Sequence, residues 1–427
     1  MKSRTTVIVG AGLPLNLSLP DGILYPSTGN ITQAVISDYP DYSKSNTITS
    51  PTTDIAHQFY DFLCTNYPIC GHGNGNINFE QVFHCMESYL SFDRSWSNSC
   101  ANSDICPVFG PFTAPSKSFN VREISSVMPQ FLLRIMDIVN GYDNYFEAEK
   151  HNREKWLTDF ILSLGTIDIF NFNYDTLFEN IYGEGGYEDG FGSNPSAKGY
   201  QIFSPAKLMN CQNGKSTINH LHGCINYYHP DNPNKHINDL RFEDWVKYPN
   251  YAEVRKRMIG RSQSQPRSQT KETIYNGPII TGLNKTAKLN CVPFDFYHAN
   301  LVNSITHNNK LLIIGYGFGD YYCNQLIQRM NLIHGNAARV CIVDYFNLIE
   351  NSRFGFEQYV YDSMNQDFGT TLCIYSDTTM FTEALTTLQP MDKTVMMKSP
   401  SGRLMIGIDG LCSAAKQEDD IIAFLNS

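Results

Sequence analysis

The chain has 427 residues, with 32 Lys+Arg against 42 Asp+Glu for a formal charge of −10, 42% hydrophobic and 17% charged residues. This composition excludes a disordered or basic protein and suits a globular chain of two or three domains, or one large α/β domain carrying insertions. The acidic balance argues against nucleic acid as the main partner, because neutralising phosphates needs a surplus of Lys and Arg.

Residues 1–12 hold an apolar run too short for a secretion signal, and no run of about 20 apolar residues follows anywhere in the chain. A cytoplasmic protein with no membrane partner is therefore expected. The 12 cysteines contain no C-x-x-C pair and read as reduced, mostly buried thiols rather than disulfides or a zinc ribbon.

In chain order, Thr5–Val9 (TTVIV) reads as a buried strand running into Gly10-Ala11-Gly12. Further strands are expected at 166–171 (TIDIFN), 310–315 (KLLIIG), 340–344 (VCIVD) and 371–375 (TLCIY). Near-continuous apolar runs of this kind belong to strands covered on both faces, so the predicted fold is α/β, a doubly wound, mostly parallel Rossmann-like sheet. Between the first two strands the apolar spacing is helical: Phe79, Val82, Phe83, Met86 and Leu90 form one stripe, and Phe131, Leu132, Ile135, Ile138 and Val139 another. The division predicted is a core over 1–35 and 160–390, a helical insertion over 36–159 and a C-terminal tail over 391–427. The tail holds a strand near 404–408 and a short helix near 420–425, after a last core helix closing near Leu388. Residues 229–273 are polar, then basic (Arg255, Lys256, Arg257, Arg261, Arg267), and read as a loop or small lid, with a phosphate or nucleic-acid contact as the sharper reading.

Four stretches carry candidate chemistry. Glycines at 10 and 12 would let backbone N–H groups approach a pyrophosphate, although Leu15 stands where a dinucleotide fingerprint needs its third glycine. Asn171, Asn173 and Asp175 follow a strand at the end where open α/β sheets bind ligands, and Asn173 or Asp175 is equally placed to cap the next helix. In His220-Leu221-His222-Gly223 two imidazoles spaced i, i+2 would share one strand face, but no further ligand is spaced nearby, so a base at His222 is more economical than a metal. Finally Gly315-Tyr316-Gly317-Phe318-Gly319-Asp320 is a second strand-to-glycine turn, followed by a strand ending at Asp344, where dinucleotide folds hold ribose hydroxyls.

Taken together, Gly10-Ala11-Gly12, Pro20-Asp21, Phe172-Asn173-Tyr174-Asp175, Leu221-His222-Gly223 and Gly315-Tyr316-Gly317-Phe318-Gly319-Asp320 resemble the sirtuin pattern. They resemble most closely its divergent bacterial branch, the sirtuin-like NAD hydrolases of antiphage defence. The four-cysteine zinc ribbon of sirtuin deacylases is missing, since residues 225–290 contain no cysteine, and so is the Arg that follows Pro-Asp-Phe. The resemblance implies an NAD glycohydrolase giving nicotinamide and ADP-ribose, with NAD as substrate, no metal, and NAD depletion in abortive infection as the biological outcome. It implies Asn173 and His222 as the catalytic pair. Gly10, Ala11, Gly12, Asp21, Asp175, Gly315, Tyr316, Gly317 and Asp344 would contact the dinucleotide, Asp175 near the nicotinamide amide and Gly315 and Tyr316 beside the adenosine half. It also implies a homo-oligomer, control by a HerA-type ring ATPase subunit, and nucleic acid as an indirect trigger only. The alternatives are a non-catalytic NAD or ADP-ribose sensor or scaffold and, more weakly, a hydride-transferring oxidoreductase.

Overall fold

Every residue of β1 (Thr5–Val9) is buried, because the strand lies inside a sheet with neighbours on both edges. The computed structural model describes residues 4–36, 52–66, 77–96, 121–192, 196, 198–211, 214–228, 245–259, 277–282, 289, 291–344, 389–390, 396–398, 402–407 and 409–427. Next to β1 lie β2 (Ile167–Asn171) on one side and β8 (Lys310–Ile314) on the other, both parallel to it. Beyond β2 come β5 (Ser216–His220) and the short β3 (Tyr187–Glu188), and beyond β8 comes β9 (Arg339–Val343). The chain thus leaves β1 toward one edge and returns to its other side at β8. That reversal creates a crevice at the carboxyl ends of β1 and β8, the place where doubly wound sheets bind ligands.

The C-terminal segment corrects the expectation of a tail. β12 (Leu404–Gly407), buried throughout, pairs in parallel with β9, and β11 (Met396–Lys398) and β10 (Gln389–Pro390) extend that edge antiparallel. Among the described residues the sheet has seven strands paired in parallel, to which β11 and β10 are added by antiparallel pairing. The physical reason is the alternative: Leu404, Met405 and Ile406, each at most 1% exposed, would otherwise face water. α11 (Gly410–Ala415) and α12 (Glu418–Leu425) close this edge, and Asn16 Oδ1 accepts a hydrogen bond from Leu411 N at 2.9 Å, tying the C-terminus to the turn after β1. The strand expected at 371–375 and the helix end near Leu388 lie outside the described residues.

The helical layer begins earlier than residue 36. α1 (Thr28–Ile36) packs with α2 (Thr52–Asn66), α3 (Phe79–Trp96) and α4 (Val121–Glu149), burying Ile31, Val35 and Ile36. Arg134 of α4 donates to the Ala34 and Val35 carbonyls that end α1. The two stripes expected from the sequence face this core where they are described: Phe79, Val82, Phe83, Met86, Phe131, Leu132, Ile135 and Val139 are buried and Ile138 partly so, while the Leu90 side chain lies outside the described residues. α5 (Lys155–Ser163) then leads into β2.

A small antiparallel sheet of β4 (Gln201–Ile202), β7 (Val246–Lys247) and β6 (Tyr227–Tyr228) stands beside the large one, with α6 (Leu177–Tyr182) and α7 (Pro205–Met209) in the intervening chain. Within the stretch expected to be a basic lid, residues 251–259 instead form α8 (Tyr251–Ile259). Tyr251, Val254 and Met258 are buried at helical spacing, and the basic side chains are paired: Arg255 with Asp137, Lys256 and Arg257 with Glu253. The apolar stripe decides this segment, and its polar composition conceals it. Arg261 and Arg267 lie outside the described residues. α9 (Phe294–His307) packs on β2 and β5, and α10 (Tyr321–His334) on α9. Among the described residues no helix is long and apolar enough to cross a membrane.

Candidate functional site

The turns after β1 and β8 cross at the switch point with almost no room between them. A Cβ on Gly10 would lie 2.5 Å from the Gly315 carbonyl oxygen, one on Gly12 2.6 Å from Gly315 Cα, and one on Gly315 2.5 Å from Gly12 Cα. Gly315 also has φ of 55°, a left-handed backbone that side chains disfavour. The glycines are thus required for backbone-to-backbone contact. Their N–H groups are committed to it: Gly10 N donates to Ile314 O at 2.9 Å and Gly12 N to Gly315 O at 2.8 Å. This corrects the expectation that both N–H groups face a pyrophosphate. Nor does an α-helix start here, since the turn runs into the 3-10 segment Pro14–Asn16. Ala11, exposed between them, is the residue at the tip. Gly315→Ala is expected to lower unfolding stability by about 2–4 kcal/mol, combining overpacking with a strained backbone, which urea denaturation would measure.

At the end of β2 the chain turns sharply, with Asn171 Oδ1 accepting from Asn173 N at 2.9 Å. Asn173 is 8% exposed, and its Nδ2 donates to the Gly10 carbonyl at 2.9 Å. That bond fixes the amide across the crevice and leaves Oδ1 as its acceptor. Asp175, placed near the nicotinamide amide by sequence resemblance, is instead fully buried behind this turn, its carboxylate accepting from Tyr142 Oη at 2.9 Å and Asn171 Nδ2 at 3.3 Å. Burial raises its pKa despite those donors. Its neighbour Thr176 donates from N and Oγ1 to Asp143, a second buried carboxyl raised well above the ordinary range by burial first and by Asp175 second. Tyr142 and Asp143 both belong to α4, so the insertion grips the segment that positions Asn173.

His220 and His222 do not share a face, because the strand ends at His220 and the chain turns at Leu221. His220, 0% exposed, meets Glu179 Oε1 at 2.8 Å. His222 turns to the crevice, 3.4 Å from Asp320 Oδ2 and edge-on to the Phe172 ring. Its carbonyl accepts from Ile280 N at 2.7 Å. A Cβ on Gly223, at φ 87°, would overlap the Pro278 carbonyl, which accounts for glycine there. Glu179, His220 and Cys224 converge within 4.8 Å of one another, a donor set that invites a metal. Lys247 Nζ already occupies that charge, 3.0 Å from Glu179 Oε1 and 2.6 Å from Asp189 Oδ2. Burial would raise Glu179, but Lys247 and then His220 hold it below the usual carboxylate range, while Cys224 is pushed well up by burial. A protonated thiol beside an ammonium does not suit a resident metal.

Residues 168–359 match the family model described as SIR2-like domain. The match supports a sirtuin-like protein, and the mostly parallel sheet is the Rossmann-like α/β fold that goes with it. SIR2-like domains bind NAD, so NAD-related activity is consistent with this chain. No curated protein matches it.

Within the SIR2-like match lie Asn173, Asp175, His222, Gly315, Tyr316, Gly317 and Asp344. The Tyr316 ring is buried between Phe172, at 4.9 Å, and Phe318, at 5.1 Å, so that ring packs the floor of the crevice. Gly317 is exposed with open space around it. Asp344 is clamped by the C-terminal strand, its N donating to Gly407 O and its O accepting from Gly410 N, and its carboxylate approaches Gly12. Asp21 is exposed in the turn after Pro20 and makes no hydrogen bond or ion pair among the described residues. Two further groups belong near the crevice, Asp320, which the sequence motif includes without a role, and His298, which no motif marks. Asp320 stands at the start of α10, where its Oδ1 accepts from Cys323 N while Oδ2 faces His222. His298 projects from α9 within electrostatic reach of both.

Proposed function

We propose that the chain is an NAD glycohydrolase, converting NAD and water into nicotinamide, ADP-ribose and a proton. The observation that supports this best is that Asn173, tied to the turn after β1, and His222, facing Asp320, follow the neighbouring strands β2 and β5 at the carboxyl edge of a sheet with a SIR2-like match. Cleavage of the nicotinamide–ribose bond builds positive character on the ribose, so the site must orient the sugar and aim one water. The Asn173 Oδ1 suits a water or ribose hydroxyl, since its Nδ2 is committed to Gly10. Asp320, 3.4 Å from the His222 Nε2, favours the positively charged ring, which suits this imidazole to take up a proton. Ala11 and the crossing glycines would lie along the pyrophosphate, and Asp344 beside a ribose.

In this reading NAD loss serves abortive antiphage defence in the cytoplasm, restrained by self-association or by a HerA-type ATPase subunit. The grip of α4 on Asp175 and Thr176 supports regulation through the insertion, because any partner that shifts α4 shifts the Asn173 turn. The test is nicotinamide release by the purified chain, alone and co-assembled with that ATPase. Tight NAD binding without release in either state would favour the sensor reading. Asp320→Asn is expected to lower kcat/KM by about 10- to 100-fold with folding intact, because a neutral amide no longer stabilises an imidazolium. A steady-state assay beside a thermal melt checks it.

A further inference from the structure

A cavity of about 760 Å³ lies where α4, α6 and α8 meet the small antiparallel sheet. Asn173, His222 and Asp320 are not among its lining residues, so it is separate from the crevice. Buried side chains line it: Asp143 from α4, Thr176 at the start of α6, Asn226 just before β6 and Lys247 from β7. Asn226 is 9% exposed, and its side-chain amide makes no hydrogen bond among the described residues. A buried amide that has lost its bonds to water and gained none calls for a polar occupant. Asn140, half-buried on the α4 wall, has an amide in the same condition. Charge sets the occupant's class. Five carboxyls line the cavity, Asp137, Asp143, Glu147, Glu179 and Glu184, against the two cations Lys247 and Arg255. Both cations are committed: Lys247 to Glu179 and Asp189, and Arg255 to Asp137 through two bonds of 2.8 and 3.1 Å. Neither is left to receive a phosphate, whereas carboxylates and amide oxygens accept from N–H groups, most strongly when the donor is charged.

We infer that this cavity is a second ligand site, taking a small organic cation with an ammonium group at each end, of the aliphatic polyamine class. Its size suits an organic molecule rather than a bare ion. The carboxyls come from two walls, Asp143 and Glu147 from α4, and Glu179 and Glu184 from α6 and the turn after it, so a molecule charged at both ends satisfies both. The site does not depend on the dinucleotide reading. Its lining includes the Asp143–Thr176 contact by which α4 holds the Asn173 turn, so an occupant bridges the insertion and the core.

The test is calorimetry of the full chain with putrescine, beside butane-1,4-diol, which has the same carbon chain and no charge. An acidic chain also attracts polyamines diffusely, so stoichiometry and variants carry the result. Wild type is expected to bind one putrescine per chain saturably, and the diol about 10-fold more weakly or less well still. Asn226→Leu, which replaces the buried amide with an apolar group of similar size, and Asn140→Arg, which puts a guanidinium into the cavity, should each weaken putrescine binding by about 10-fold or more. Melting temperatures control for folding, and Asn140→Arg, on a half-buried helix wall, decides the matter if Asn226→Leu unfolds. His222→Ala, in the crevice, is expected to bind putrescine as wild type does. Binding that does not saturate, equal affinity for the diol, or affinity unchanged in Asn140→Arg would overturn the site. Loss of binding in His222→Ala would put the cation in the crevice and overturn it as well.

Discussion

His222→Ala and Asn173→Ala are each expected to abolish NAD cleavage, by about 100-fold or more, while leaving the fold in place. The two losses have different origins. Removing His222 takes away the proton acceptor, and general-base catalysis is typically worth about 10²–10⁴-fold. Removing Asn173 takes away the acceptor that aims water or ribose and also the bond to the Gly10 carbonyl, so the turn after β2 loses its tie to the turn after β1. Each side chain is nearly buried, at 5% and 8% exposure, yet neither belongs to the apolar core, so stability should fall by no more than about 1–2 kcal/mol. Initial rates of nicotinamide release beside urea denaturation separate the two effects. Full turnover in both variants would remove the assignment of the pair.

Lys247→Met is expected to cost about 3–5 kcal/mol of stability and to introduce a pH dependence between pH 5 and 8 that the wild type lacks. Lys247 is 5% exposed and neutralises both Glu179 and Asp189 behind the His220 turn. Burial disfavours its charge, but Asp189 and then Glu179 hold its pKa above the ordinary value. In wild type the depressed Glu179 stabilises the fold above its unfolded value, near ~4.3, and that contribution is lost as pH falls through the lower folded value. Lys247 contributes below its unfolded value and loses that contribution only as pH rises through its raised folded value. Between about pH 5 and 9 both contributions are complete and stability from this cluster is flat. Without the ammonium, the burial that disfavours the Glu179 carboxylate is no longer offset by Lys247, so the variant should weaken as pH rises from 5 to 8. Denaturation midpoints across that range test this, and parallel wild-type and variant curves would contradict it.

Which parts of the site were legible follows from where the signals lie. Asn173 and His222 were readable because each stands directly after a strand-like run, where topology sends polar side chains into the crevice. The glycines were readable as a turn, but their purpose was not: a sequence shows that Cβ atoms are missing, not that Gly315 is what they make room for. Asp175 follows the same motif as Asn173 yet faces the opposite way, because Tyr142, 33 residues upstream, supplies its partner. Nothing local to residue 175 announces that. His298 sits in an ordinary helix with no motif around it, and only the packing of α9 on β2 and β5 brings it to His222. The strand near 404–408 and the helix near 420–425 are legible from their apolar spacing, but nothing local shows that β12 pairs with β9, and in α8 basic residues mask the apolar stripe.

The central claim is that water attacks the nicotinamide-bearing ribose of NAD in the Asn173–His222–Asp320 crevice. Mass spectrometry of the products formed in water enriched in oxygen-18, with the chain alone and with the HerA-type ATPase subunit proposed above, tests it most directly. The account predicts nicotinamide without label and ADP-ribose carrying one oxygen-18, both absent in His222→Ala. NAD recovered intact under both conditions, or products formed equally well by His222→Ala, would contradict it.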